Sequence, residues 1–260
     1  MKLKSTIIIS LLFFLYWPLT VVVFNSFNNS RFGGPWRGFT TKWYQILIDN
    51  EEIWLAATNS LIIALITAIC ATFLGLIGAF AMLKGKSAYF KTLVYSSPAA
   101  PDILQGISLL LFFLYTSSLL ESLTGISFQL GNSTVILAHI TFSLAFTVLI
   151  LTARLKNLDP RLMEAAMDLG CTKLKAFTKV ILPVISPGIV AAGLAAFTLS
   201  MDDFIITFFV KGTGDNTLPV YIQGAMRRGN PAILNALSTV LIIFAAFSVT
   251  IMQKLFRNNK

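Results

Sequence analysis

Six stretches of this chain, residues 5–24, 57–83, 93–115, 133–153, 188–210 and 232–256, are apolar for about twenty residues or more. At about 1.5 Å of rise per residue, a helix of that length crosses roughly 30 Å of hydrocarbon. The expected fold is therefore an all-α polytopic membrane protein with six transmembrane helices, built as a single domain over 1–260 without internal repeats. With 56% of residues apolar and 12% charged, a water-soluble globule is excluded.

The first run follows Lys2 and Lys4 in the manner of a secretory signal. It is too long for a signal core and no small-x-small cleavage site follows, so it reads as a retained span, kinked at Pro18. Residues 25–52 are polar and carry Trp36, Trp43 and Tyr44, with Trp54 just beyond. These aromatics favour the membrane interface and predict an outer loop with an interfacial helix. Placing both termini in the cytoplasm collects 14 of the 20 Lys and Arg on that side, at the termini and in 84–91 and 154–179. That asymmetry obeys the positive-inside rule, so the net charge of +9 reports topology rather than nucleic-acid binding. Cys70 in an apolar run and Cys171 in a polar loop fall at different depths, which predicts neither a disulfide nor a metal site. Gly85-Lys86-Ser87 imitates the end of a phosphate-binding loop, but Phe80 stands where the first glycine belongs and the flanks read as membrane helix. No ATP-binding motif and no catalytic constellation is present, so no cofactor is expected on this chain.

The longest polar interlude between two spans, 154–186, contains Glu164-Ala165-Ala166-Met167-Asp168-Leu169-Gly170 and, farther on, Leu182-Pro183. Asp159 suits an N-cap and Pro160 a first helical position, which predicts a helix over 160–169 ended by a left-handed Gly170. Thr172 then caps a second helix with Leu174, Phe177, Val180 and Ile181 on its apolar stripe; Pro183 is expected to break it and Ser186-Pro187 to open the next span.

This spacing resembles the EAA loop of ABC-importer permeases, with Val180 where isoleucine is usual. The resemblance implies a type I, MetI-like permease whose loop seats as a coupling helix in the ATP-binding subunit. Glu164, Ala165, Ala166, Gly170, Leu182 and Pro183 would then be contact or geometry residues, and ATP and Mg would bind on partner ATPase subunits.

Carboxylates at membrane depth are costly and mark function. Asp102 lies about nine residues into the third run, after Pro98 and Pro101, which interrupt the helix there. It can cap the half-helix that begins there or contact substrate. Asp202 and Asp203 lie about fifteen residues into the fifth run. Neighbours on a helix point roughly 100° apart, so both can face one cavity only if the helix unwinds locally or the cavity is wide. One lining a path and the other bonded to backbone is the simpler arrangement. With Phe197 and Phe204 as aromatic walls, such carboxylates suit a polycation through charge and cation–π contacts.

The segments 97–110 and Ser200-Met201-Asp202-Asp203 resemble those of spermidine/putrescine importer permeases. That resemblance implies polyamine import into the cytoplasm across a bacterial inner membrane. The partners it implies are a second permease subunit as a heterodimer, two ATP-binding subunits and an extracytoplasmic polyamine-binding protein. Another small cation or an opine-like solute would be carried by the same machine, whereas a self-sufficient channel or a membrane-embedded enzyme leaves the loop motif unexplained. His139, the one histidine, sits beside Thr141 and Ser143 and is expected to make a helix–helix hydrogen bond. Arg227 and Arg228 would meet a binding protein or lipid headgroups, and Asn230-Pro231 reads as the cap of the last helix.

Overall fold

The computed structural model describes residues 2–85, 88–159, 161–229 and 231–258, with side chains from Thr6 to Phe247. Pro160, Asn230, Lys86 and Ser87 lie outside the described residues. Helices run in the order α1 (Lys2–Ser26), α2 (Lys42–Ile48), α3 (Glu51–Lys84), α4 (Ala88–Ser96), α5 (Asp102–Thr124), α6 (Asn132–Lys156), α7 (Arg161–Asp168) and α8 (Lys173–Ala176). They continue as α9 (Leu182–Asp202), α10 (Ile205–Val210), α11 (Leu218–Arg227) and α12 (Pro231–Asn258). A 3₁₀ turn at Ser97–Ala99 and a π-helical stretch at Phe177–Ile181 interrupt the series. The one β feature among the described residues is a single antiparallel bridge between Asn28 and Phe39.

Five helices are long and apolar enough to cross a membrane: Thr6–Ser26, Glu51–Lys84, Asp102–Thr124, Asn132–Lys156 and a continuous Lys173–Asp202. The sixth expected span falls on α12, whose described apolar part is the shorter Pro231–Phe247.

Two spans differ from the sequence expectation, both for reasons of proline chemistry. The third was expected over 93–115, but α4 ends at Ser96 and the membrane-length helix starts at Asp102. Pro101 has no N–H to give the Ser97 carbonyl, and the Gln105 side chain supplies the missing donor, its Nε2 bonding Ser97 O at 3.2 Å and Ala100 O at 3.0 Å. The fifth was expected to start near Gly188 after a break at Pro183, yet helix runs unbroken through both prolines. Immediately before Pro183 the Leu182 N–H reaches back five residues to Phe177 O, a widened turn that makes room for the proline ring. Pro187 deprives the Pro183 carbonyl of its helical donor, and the Ser186 hydroxyl replaces it at 2.8 Å. The same helix then ends early, at Asp202, with Asp203 extended and Phe204 leading into α10.

The chain divides into two compact units, Met1–Trp54 with Tyr221–Lys260, and Leu55–Val220. In the first, α12 packs on α1 and α2, and Trp43, Ala232 and Ala236 form a small core. The Trp43 indole N–H donates to Asn28 O at 2.9 Å, which pins the loop after α1. Burial and the nearby Glu52 push the Tyr221 phenol pKa up, while Arg228, 5.9 Å from the ring centroid, opposes them.

In the second unit α6 is the most buried span, packed on α9, while α10 packs on α5. One core joins Ile63, Phe113, Val135, Phe142, Ile206 and Val210, and another joins Ala79, Leu151, Leu155, Ile181, Ile185 and Ala192. The approach of α10 to α5 depends on Gly106, where a Cβ would lie 2.8 Å from the Phe209 ring. Gly106→Ala is expected to destabilise the protein by roughly 1–3 kcal/mol through overpacking, read as an earlier unfolding midpoint in detergent.

Candidate functional site

Breaks in two neighbouring helical paths create a cavity of about 410 Å³. The α4–α5 break contributes Pro98, Asp102 and Gln105, α6 contributes Phe142 and Phe146, and the end of α9 contributes Thr198, Leu199 and Asp202. Asp203, Phe204, Ile205 and Ile206 close the lining. Asp102 is the first residue of α5, in the first turn where a carboxylate meets the free N–H groups of the helix end. Asp202 is the last residue of α9. Both are exposed, and neither has a hydrogen-bond or ion-pair partner among the described residues. Their helix ends differ in kind: the positive N-terminus of α5 favours a carboxylate, and the negative C-terminus of α9 opposes one. Asp202 is therefore an anion held where a cation is wanted.

Asp203 has a different environment. Its Oδ1 accepts the Ile206 N–H at 3.2 Å; its Oδ2 accepts the Thr207 N–H at 2.8 Å and the Thr207 hydroxyl at 2.8 Å. His139 from α6 brings Nε2 within 3.2 Å of the same Oδ2 and 2.9 Å of Thr207 Oγ1. On its other side His139 Nδ1 meets Ser200 Oγ at 2.6 Å. With the proton on Nε2 the ring donates toward Asp203 and Thr207, and Nδ1 accepts the Ser200 hydroxyl. His139 is 1% exposed and the Asp203 side chain 8%. The helix–helix bond expected of His139 exists, and its partners are Ser200 at the end of α9, Asp203 and Thr207. Asp203 thus starts α10 and ties it to α6. Asp203→Ala is expected to lower stability by about 2–3 kcal/mol in denaturant unfolding, from a lost helix cap and the loss of a charged acceptor from the buried His139–Thr207 network.

The Glu164 segment folds from local rules. Asp159 Oδ1 accepts the Arg161 N–H at 2.9 Å, as an N-cap does. Gly170 takes φ +85°, the Cys171 N–H reaches Ala166 O at 3.1 Å, and the Gly170 N–H reaches Met167 O at 2.9 Å, which together form a Schellman stop. Thr172 Oγ1 accepts the Lys175 N–H at 3.4 Å. Leu162 and Met163, like Phe177 and Leu182, pack against the core that contains Leu155, Ile181 and Ile185, and Ala166 is buried. Glu164, Ala165 and Asp168 face outward, and Leu169 is 88% exposed. Leu174, expected on the apolar stripe, is instead 73% exposed, because Ala176, Phe177 and Ile181 occupy the inward positions. Leu182 is half-buried and Pro183 exposed.

Of the expected path residues, the cavity brings together Asp102, Asp202, Asp203 and Phe204, and Phe197 is not in its lining. Gln105, Phe142 and Phe146 had not been singled out. The signal for Gln105 was its place after Pro-Asp-Ile-Leu; the two phenylalanines had none, since in an apolar run they read as any lipid-facing or core residue.

The sequence pattern of the family described as "binding-protein-dependent transport system inner membrane component" matches residues 71–258. This chain belongs to that family. It is similar to the Escherichia coli (strain K12) spermidine/putrescine transport system permease protein PotC, at 38% identity over 94% of this chain and 90% of that protein. It is likewise 38% identical to the putrescine transport system permease protein PotI of the same organism, over 88% of this chain and 82% of that one. Among solved structures, a bacterial alginate ABC transporter crystallised with an alginate pentasaccharide-bound periplasmic protein shares the fold. The TM-score is 0.71 at 17% identity, covering 94% of this chain and 91% of that one. The permease is thus a multi-pass inner-membrane transport subunit of an ABC importer, with the type I, MetI-like fold, and not an enzyme.

Proposed function

We propose that this permease passes polyamines of the spermidine/putrescine class into the cytoplasm, through the cavity bounded by Asp102 and Asp202. The observation that carries this reading is the pair of unpartnered carboxylates lining one cavity, with Asp202 at the carbonyl end of a 21-residue helix. A diammonium chain offers each carboxylate a cation and relieves the charge repulsion at the end of α9. Phe142, Phe146 and Phe204 supply π faces for the same ammonium groups. Asp203, already accepting from backbone, hydroxyl and imidazole, serves the frame and not the substrate. The names of the relatives agree with this substrate class.

The permease works beside a second permease subunit, two ATP-hydrolysing subunits and an extracytoplasmic binding protein. Both termini lie in the cytoplasm, where the Glu164 segment meets an ATPase subunit through Glu164, Ala165 and the exposed Leu169. Ala166 and Leu182 set the geometry of that contact from beneath it, and Gly170 sets it through the turn that ends α7. The helix that starts at Lys173 beside this contact is 30 residues long and ends at Asp202. At about 1.5 Å per residue it is a strut of roughly 45 Å between the ATPase contact and the cavity. A tilt imposed at one end moves Asp202 at the other, and the two tilts are the outward- and inward-open states.

Proteoliposomes holding the complete importer, with ATP on the cytoplasmic side, should accumulate labelled spermidine or putrescine and leave labelled arginine outside. Accumulation of a neutral or anionic solute without polyamines would overturn the substrate assignment.

A further inference from the structure

A second hollow, of about 590 Å³, lies wholly within the unit that contains α1, α2 and α12. Arg31, Arg37 and Lys42 all line it, and no Asp or Glu does. None of the three has an ion-pair partner among the described residues, where the one such contact is between His139 and Asp203. Three cations gathered without a counterion repel one another, and an anion at their centre removes that cost.

The loop that holds them is built. Buried Asn28 accepts the Arg37 N–H on Oδ1 at 2.9 Å and donates from Nδ2 to Pro35 O at 3.3 Å. Main-chain bonds from Asn29 to Gly38 O at 2.9 Å and from Thr40 to Phe27 O at 2.8 Å close the turn. Lys42 Nζ stands 4.7 Å from the Trp43 ring centroid and Arg31 Cζ 5.5 Å from that of Phe32, contacts that hold both heads at the hollow. Its volume falls in the range of about 300–1,000 Å³ typical of small-molecule sites.

We propose that this hollow binds the phosphate of an anionic phospholipid headgroup. A lipid is favoured over an acidic protein surface by what surrounds the cations. The loop begins where α1, a span, ends, which is headgroup depth. Phe32, Trp36 and Phe39 on the same loop are 72%, 56% and 71% exposed, and such rings partition to the membrane interface. Ile46 and Ile233 give the hollow an apolar side where the acyl–glycerol part can rest.

The test compares the assembled importer in phosphatidylglycerol and in phosphatidylcholine nanodiscs, counting retained lipid by native mass spectrometry. The wild-type complex retains phosphatidylglycerol preferentially. Each of Arg31→Gln, Arg37→Gln and Lys42→Gln weakens that retention roughly fivefold and the triple neutral variant about a hundredfold, whereas Arg31→Lys/Arg37→Lys/Lys42→Arg keeps it. If the triple neutral variant does not assemble, the three single variants carry the comparison. An unchanged lipid preference in the neutral variants overturns the proposal. So does inorganic phosphate reproducing the effect in phosphatidylcholine, which would make the ligand a free anion. Loss of binding-protein docking with lipid retention intact overturns it in favour of an acidic protein surface.

Discussion

Asp202→Asn is expected to lower polyamine uptake at subsaturating substrate by about thirtyfold while leaving the fold as stable as before or slightly more so. Truncating one partner of a charged contact in a desolvated site costs roughly 2–5 kcal/mol, and the exposure of Asp202 to the cavity favours the low end of that range. The amide keeps the shape of the carboxylate and removes a negative charge from the C-terminal end of α9, a change worth about 0.3–1 kcal/mol in favour of the folded state. Transport and stability should therefore move independently at this position. At Asp203 they should fall together, because that carboxylate anchors α10 and His139. Paired measurements of uptake and unfolding midpoint on the two asparagine variants separate a substrate carboxylate from a structural one. Equal losses of stability at both positions would remove the distinction on which the substrate path rests.

The second large effect is expected in the polar loop. Glu164→Ala should reduce ATP-driven uptake by roughly thirtyfold, the size of an interface hot spot of about 2 kcal/mol, with the permease itself normally folded. Glu164 is exposed and outside both cores, so its loss disturbs only what docks there. Gly170→Val should give the same loss of uptake by another route. A β-branched residue at φ +85° is strained, and the hydrogen bonds from Gly170 and Cys171 back into α7 would give way, turning Glu164 and Ala165 from their bearing. Measured side by side, ATP hydrolysis by the assembled complex should persist without substrate control in both variants. Normal uptake by Glu164→Ala would mean that the loop is not the point of coupling.

The difference between what could and could not be read in advance follows from the range of the forces involved. The ends of α7 and the start of α8 were legible because capping is decided within about four residues: Asp159, Gly170 and Thr172 act on their own neighbours. The proline breaks were legible only in part. Pro98 and Pro101 do split a helical path, since the donor that replaces the lost N–H, Gln105, serves the break rather than bridging it. Pro183 breaks nothing, because the π turn before it absorbs the ring, and no local rule announces a π turn. The end of α9 at Asp202 was hidden for a further reason: it is held by His139, more than sixty residues earlier, and a tertiary hydrogen bond leaves no mark in the apolar pattern. The exposed Leu174 misled in the same way, since a stripe of apolar residues does not say which of its members a neighbouring helix will cover.

The most direct test of coupled polyamine import is ATP hydrolysis by the importer reconstituted with its ATPase and binding proteins, measured with spermidine, putrescine and arginine. The account predicts stimulation by the polyamines and none by arginine, with Asp202→Asn shifting the response to higher polyamine concentration and Glu164→Ala abolishing it. Stimulation by arginine alone, or hydrolysis indifferent to every solute in the wild-type complex, would contradict it.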